Sequence, residues 1–269
     1  MEGSGSVEGT FLRVEVSPHW GFGTALYSGT KTRPPLIAPP PTTLIGALAY
    51  PISRLLGRPE NPIGGRWLLY ELASTLHGVY ARLDLPLIAY GEITRLKFYK
   101  KREKEVYTDA PSYVRVYSHP SGTVTLLYIF DEQKAKLIFG GDWQRLVVCA
   151  AVGIKRLGDR ESLVSVKSVE YGKAKLELHD RVETSYYAPL LPGVKYFSQR
   201  NFVTVVVVDW RRASSPDYSA SRRTIMIVPY DPGSLSSAPV EARAADGAKV
   251  KAWRVEGRGG AVEYAVAWT

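Results

Sequence analysis

The stretch "LIAPPPTTLIGALAY", residues 36–50, decides how the rest of the chain is read. Its three consecutive prolines hold an extended approach, because each ring locks its own φ and pushes the preceding residue out of helical space. Thr42 and Thr43 then stand where a helix N-cap belongs. Apolar residues at 44, 45, 48, 52, 55 and 56 follow at helical spacing. Such a helix start offers unpaired backbone N–H groups, which favour an anion such as phosphate. Lys31 and Arg33 lie just upstream, and Gly46 and Ala47 leave room for another backbone to pass. Pro51 predicts a kink or an early end to the helix.

Working outward, "FLRVEV" (11–16) alternates apolar and polar and predicts a strand. "GRWLLYELASTLHG" (65–78) predicts a second helix stopped by Gly78. β-rich text follows at 79–99, 112–118 and 122–130, with a turn at His119–Gly122. Residues 142–158 predict a helix capped by Asp142 and ended near Gly158, and 162–172 a strand. The order is β, α with an extra helix, β, β, α, β. This is the α+β ferredoxin-like (βαββαβ) arrangement that RNA-recognition modules also use. Beyond residue 178 the text is strand after strand. The expected organisation is a ferredoxin-like domain over 1–178, carrying a long β-hairpin thumb at about 90–118, and a smaller all-β C-terminal portion over 179–269.

The 269 residues are 45% hydrophobic and 23% charged, as in ordinary globular proteins. No apolar run approaches the roughly 20 residues of a membrane helix. The N-terminus has neither the basic start nor the apolar core of a signal peptide. The expectation is a cytoplasmic protein without membrane association. The single cysteine, Cys149, can form neither an internal disulfide nor a Cys-type zinc site, and its apolar surroundings predict a core position. Two asparagines and three glutamines fit a thermophile. The formal net charge of +9 suits a polyanionic partner such as nucleic acid.

The segment "RLKFYKKREKEVYTDAPSYVRVY" (95–117) interleaves Arg95, Lys97, Lys100, Lys101, Arg102 and Lys104 with Phe98, Tyr99 and Tyr107. Cations can hold phosphates while aromatic faces stack on bases. The competing reading is a solvated hairpin whose lysines protect an edge strand.

"APPPTTLIGALAY" (38–50) and "GIKRLGDRESLVSVKSVE" (153–170) resemble stretches of the fifth core CRISPR-associated protein family. The resemblance is to archaeal, type I-A-like members within the RAMP superfamily, and it spans roughly residues 10–170. It implies a ferredoxin-like core with a hairpin thumb. It also implies a role in antiviral defence: binding the 5′ handle of the guide RNA (crRNA) and capping the backbone filament of the Cascade complex, beside its backbone and large subunits. On that reading Lys31, Arg33, Thr42 and Thr43 form a phosphate site at the first helix. Lys155, Arg156, Arg160 and Lys167 form a second basic rim near the fourth strand. Arg95, Lys97, Tyr99, Lys100, Lys101, Arg102 and Lys104 are the thumb contacts.

One branch of that family cleaves precursor RNA without metal through a tyrosine, a lysine and a histidine. Here His119 follows Tyr117 by two residues with no adjoining lysine, so that branch's Lys-His pattern is missing. His19 is the other candidate, and His77 reads as a helix C-terminal partner. Four scattered histidines and one cysteine give no zinc spacing, and no phosphate loop is present. The expected protein is a non-catalytic RNA-binding subunit without a cofactor. The alternatives are a metal-independent endoribonuclease and a scaffold that makes protein contacts only.

Overall fold

The computed structural model describes residues 7–24, 34–60, 67–93, 96–100, 105–109, 112–212, 222–245 and 248–268, with the backbone alone over 92–113. Strand β1 (Glu8–Pro18) opens the chain and is followed by the short β2 (Gly21–Phe22). Helices α1 (Pro41–Leu56) and α2 (Leu68–Ser74) lead to β3 (Leu76–Asp84). A hairpin follows, built from β4 (Leu87–Ile93), β5 (Leu96–Lys100), β6 (Glu105–Asp109) and β7 (Ser112–Ser118). Strand β8 (Thr123–Phe130), helices α3 (Glu132–Phe139) and α4 (Trp143–Val152) and strand β9 (Val164–His179) complete this part.

The remaining described residues form strands and one short 3-10 turn at Trp210–Arg212. The strands are β10 (Arg181–Thr184), β11 (Ala188–Pro189), β12 (Val194–Phe197), β13 (Val203–Val208) and β14 (Arg223–Val228). They continue as β15 (Tyr230–Asp231), β16 (Ser236–Ser237), β17 (Val240–Ala244), β18 (Val250–Glu256) and β19 (Val262–Val266).

The central sheet has six strands in the order β19-β18-β9-β1-β8-β3, and every pair in it is antiparallel. Strand β9 runs across the 178/179 division, and its second half pairs with β18 near the end of the chain. Side chains alternate across a strand, so Leu12 and its neighbour Tyr128 share one face while Arg13 and Leu127 share the other. The first face packs on the helices, where the buried Tyr128 hydroxyl donates to the Leu44 carbonyl at 2.8 Å. Leu44, Ile45, Leu48 and Ile52 of α1 are fully buried there. The second face is covered by the C-terminal part. Tyr80 of β3 meets Tyr186, Tyr187 and Trp268 with ring centroids 6.4, 6.5 and 6.4 Å apart.

The helices differ from the sequence expectations in instructive ways. Helix α1 begins at Pro41 with Pro40 at the N-cap, so Thr42 and Thr43 lie inside the first turn instead of capping it. The helix runs unbroken through Pro51 to Gly57, which ends it at φ 61°. Pro51 is buried, and Gly153 lies so close that a Cβ there would come within 3.1 Å of Pro51 Cβ. Leu55 and Leu56 overhang into solvent. Helix α2 stops at Ser74 because Leu76 already pairs with Phe130, so Gly78 belongs to a strand. Tertiary pairing has overridden a helical pattern. The same pairing puts His77 in β3, stacked on Trp253 at 5.2 Å, and not at a helix end. Helix α3 was not foreseen; Asp131 caps it by accepting from the Lys134 N–H at 3.1 Å. Asp142 stands at the N-cap of α4 without a side-chain cap bond, and that helix ends at Val152, before a loop over 154–163. Cys149 is exposed on α4, because the buried stripe of that helix is Trp143, Val147, Ala150 and Ala151.

Candidate nucleic-acid interface

A cleft of about 810 Å³ opens where three elements meet. Thr43, Gly46, Ala47 and Tyr50 form its floor along α1. Val114 and Arg115 come from the base of the hairpin, and Lys155, Arg156 and Arg160 from the loop between α4 and β9.

Each wall has a local cause. On α1, positions 43, 46, 47 and 50 fall on one helical face by their spacing, and two small residues there leave a trough. A Cβ on Gly46 would meet only Leu69 Cδ1, at 3.8 Å, so no backbone passes close there among the described residues; the small residues shape the cleft instead. The hairpin base is held by β7, which pairs with both β2 and β4. The 155–163 loop closes on itself through an Arg156–Leu163 bridge and a 2.9 Å bond from the Leu157 N–H to the Ser162 carbonyl. It docks on the 20–24 segment. The Gly23 N–H donates to Ser162 Oγ at 2.7 Å, and Trp20 Nε1 donates to the Glu161 carbonyl at 2.7 Å.

Four cations line the cleft: Arg115, Lys155, Arg156 and Arg160. Arg156 lies 5.0 Å from the centre of the Tyr50 ring, and Arg54, one turn along α1, lies 5.1 Å from it. The hydrogen bond and charge of Arg54, followed by Arg156, hold the Tyr50 hydroxyl below the usual phenol range. Arg115 lies 5.7 Å from the centre of the Trp20 ring, and Trp20 packs on Tyr117 at 5.8 Å. Three carboxylates share the cleft, Glu60, Asp159 and Glu161. Asp159 is used within the loop, accepting from the Ser162 hydroxyl and from the Glu161 N–H. Glu161 faces Arg115 at 3.4 Å. Lys155, Arg156 and Arg160 have no carboxylate partner within ion-pair distance among the described residues.

The backbone at the head of α1 is a poorer anion site than the sequence implied. Pro41 has no N–H, and the Thr43 and Leu44 N–H groups both turn back to the Pro40 carbonyl, at 2.9 and 3.3 Å. Among the described residues only the Thr42 N–H of that turn lacks a backbone partner.

Of the sequence-derived residues, Thr43, Lys155, Arg156 and Arg160 line this one cleft, which brings one residue of the expected first-helix set together with three of the expected second rim. Thr42 sits beside it on α1 without lining it. Lys167 is elsewhere: its ammonium donates to the Ser121 and Gly122 carbonyls, each at 3.2 Å, and to Thr123 Oγ1 at 3.0 Å, pinning the 119–122 turn. Lys31, Arg33, Arg95, Lys101, Arg102 and Lys104 lie outside the described residues. Lys97, Tyr99 and Lys100 are described in backbone only, on β5.

No protein-family model matches the chain. Two curated proteins of Saccharolobus solfataricus, CRISPR-associated protein Cas5 3 and CRISPR system aCascade subunit Cas5 1, are each 28% identical to it over 207 residues, covering 73% of this chain and 78% of each relative. The chain is a homologue of the Cas5 proteins. A solved CRISPR protein from Archaeoglobus fulgidus shares its fold, with a TM-score of 0.60 and 19% identity over 96% of this chain and 99% of that one. The Cas5 relationship agrees with the family resemblance carried by residues 38–50 and 153–170, and the archaeal source of both curated relatives agrees with the archaeal branch.

Tyr50, Arg54 and Arg115 escaped the sequence reading. Tyr50 carried a signal, since it stands seven residues after Thr43 with Gly46 and Ala47 between them. Arg115 carried none, because its place depends on which strand β7 pairs with. The described histidines are spread out. His19 Nε2 lies 2.8 Å from Ser165 Oγ, and His119 Nδ1 lies 2.6 Å from Ser121 Oγ. His179 lies 3.2 Å from Glu177 and packs on Tyr264. Burial lowers the proton affinity of His77, which lies 4.0 Å from Asp131. Among the described residues no group of three or more potential metal ligands gathers, and no helix is long and apolar enough to cross a membrane.

Proposed function

We propose that the protein is a non-catalytic RNA-binding subunit of a type I CRISPR Cascade complex. It holds the 5′ handle of the guide RNA in the cleft between α1, the hairpin base and the 155–161 loop. One observation carries the reading: the fold gathers Thr43, Arg115, Lys155, Arg156 and Arg160 from three distant parts of the sequence around one cleft. Phosphate contacts of this kind supply affinity and fix register, while base or 2′-OH contacts supply identity. A curated relative is named as an aCascade subunit, which supports complex partners for this chain.

We read the path β1-α1-β3-β8-α4-β9 as the ferredoxin-like unit and the hairpin from Leu87 to Ser118 as its thumb. RNA-recognition modules place RNA on the sheet face away from the helices. Here that face is filled by Tyr186, Tyr187 and Trp268 and by Glu263, which favours the side cleft.

The test is binding of the purified protein to a labelled guide RNA and to a copy with a scrambled 5′ handle, over a salt series, with electrophoresis for cleavage. Tighter binding to the intact handle with uncut RNA is the expected result. Lys155→Gln and Arg160→Gln should each flatten the log K against log salt slope by about 0.7–1. Cleavage at a fixed position would replace this reading with the endoribonuclease. Binding of both RNAs unaffected by the two variants would remove RNA from the cleft.

A further inference from the structure

Tyr50 stands beside two arginines that have no ion-pair partner among the described residues. Arg54 lies 5.1 Å and Arg156 5.0 Å from its ring centre. The two guanidinium groups also act on the Tyr50 hydroxyl, holding it below the usual phenol range, so its oxygen faces donors. A phenol that accepts still has its own O–H to donate, and a guanidinium with five N–H groups has several left after one such bond. With cations over the ring, the group offers charge and donors in place of a bare stacking face. Two like charges gathered at one phenol are relieved by an anion bound beside them. A planar fork suits the paired oxygens of a phosphate.

We propose that Tyr50, Arg54 and Arg156 form a fork for one backbone phosphate of the bound strand, adding affinity without reading sequence. The proposal rests on the cleft being the RNA site. It assigns the fork a role separate from that of Lys155 and Arg160 in the same cleft. Tyr50 is a positioning residue as well as a donor: it fixes the two guanidinium groups and presents its proton beside them.

The experiment uses the full chain and the same two labelled RNAs, intact and scrambled, titrated over a salt series. The variants are Tyr50→Phe, Arg54→Gln and Arg156→Gln, with Lys155→Gln and Arg160→Gln as comparators. Thermal unfolding of each reports folding; Arg54 is exposed and Tyr50→Phe keeps the ring. Arg54→Gln and Arg156→Gln should each lower the salt slope by about 0.7–1 and weaken both RNAs equally. Tyr50→Phe should weaken both RNAs by about 3- to 10-fold while leaving the slope unchanged, because it removes a donor and no charge. If these three bind like the parent while Lys155→Gln and Arg160→Gln lose affinity, RNA enters the cleft and the fork is idle, so this inference alone fails. If all five bind like the parent, the reading of the cleft fails with it. Weakening confined to the intact handle would mean that the fork reads sequence, which overturns the proposal as stated.

Discussion

Gly158 shows how single residues set this site. Its φ is +116°, a region L side chains avoid, and a Cβ there would come within 2.5 Å of the Gly23 carbonyl oxygen. The close approach lets the Asp159 N–H bond that same carbonyl at 3.2 Å. Gly158→Ala is expected to destabilise the protein by about 1–3 kcal/mol, measured by denaturant unfolding. It should also weaken RNA binding, because Lys155, Arg156 and Arg160 are carried by the loop that Gly158 closes. Loss of stability with unchanged binding would separate the loop from the RNA path. At this scale residue type was legible and residue company was not. Lys155, Arg156, Arg160 and Lys167 read alike as basic text. Three entered the cleft, while the fourth donates to turn carbonyls. A charge run does not say which of its members a distant turn will claim.

At the scale of elements, the hairpin shows a division of labour between its two ends. The β4–β7 and β5–β6 ladders share one register, so Leu87 to Ser118 forms a single long hairpin. Its base is anchored in the core: Leu87 and Val116 are buried, and the Leu87 N–H donates to the Tyr230 hydroxyl at 2.7 Å. Beyond the base, Ile88 and Tyr90 are exposed. Joining Ile93 to Ser112 by a short turn keeps that anchored base and should change stability by no more than about 0.5 kcal/mol. It should reduce RNA affinity and salt slope together, since it removes Arg95, Lys97, Lys100, Lys101, Arg102 and Lys104. Unfolding curves and RNA titrations of the shortened chain check both halves; unchanged binding would favour the scaffold reading. The hairpin and α1 were visible in sequence because periodicity and proline are local signals. The length of α2 was not, because the pairing of β3 with β8 decides where that helix must stop.

At the scale of the whole molecule, the ends of the chain are tied by charge. Glu263 of β19 bonds Arg13 of β1 at 2.9 Å and also bonds Arg82 of β3, while the Tyr186 hydroxyl donates to it at 2.8 Å. Glu170 takes the other Arg13 nitrogen. Strands at opposite ends of the sheet thus share one carboxylate, which requires the sheet to curl over its aromatic filling. Burial pushes the Glu263 carboxyl up, but Arg82, Tyr186 and Arg13 outweigh it and hold the group below its ordinary value of 4.5. The unfolded chain therefore binds the proton more tightly. The stabilisation is complete above about pH 4.5 and is lost as pH falls through the lower folded value. Glu263→Gln should cost about 1–3 kcal/mol at neutral pH and flatten the acid limb of the stability profile. Denaturant melts at pH 3 to 7 measure both effects; a parallel acid limb in the variant would assign it to other carboxylates.

The sequence by itself determined the local grammar. Proline acts on its own backbone, so the extended approach to α1 could be read directly, and the β-rich text around 95–117 suggested the hairpin. The alternation of β1 was equally plain, and the family resemblance rests on contiguous text. Only the tertiary structure decided what meets what. It brought residues 43, 115 and 155–160 to one cleft, filled the sheet face with Tyr186 and Trp268, and joined Glu263 to Arg13 and Arg82. The physical reason is that dihedral preference and periodicity act over a few residues. Burial and charge pairing act through space, between residues whose separation along the chain carries no signal.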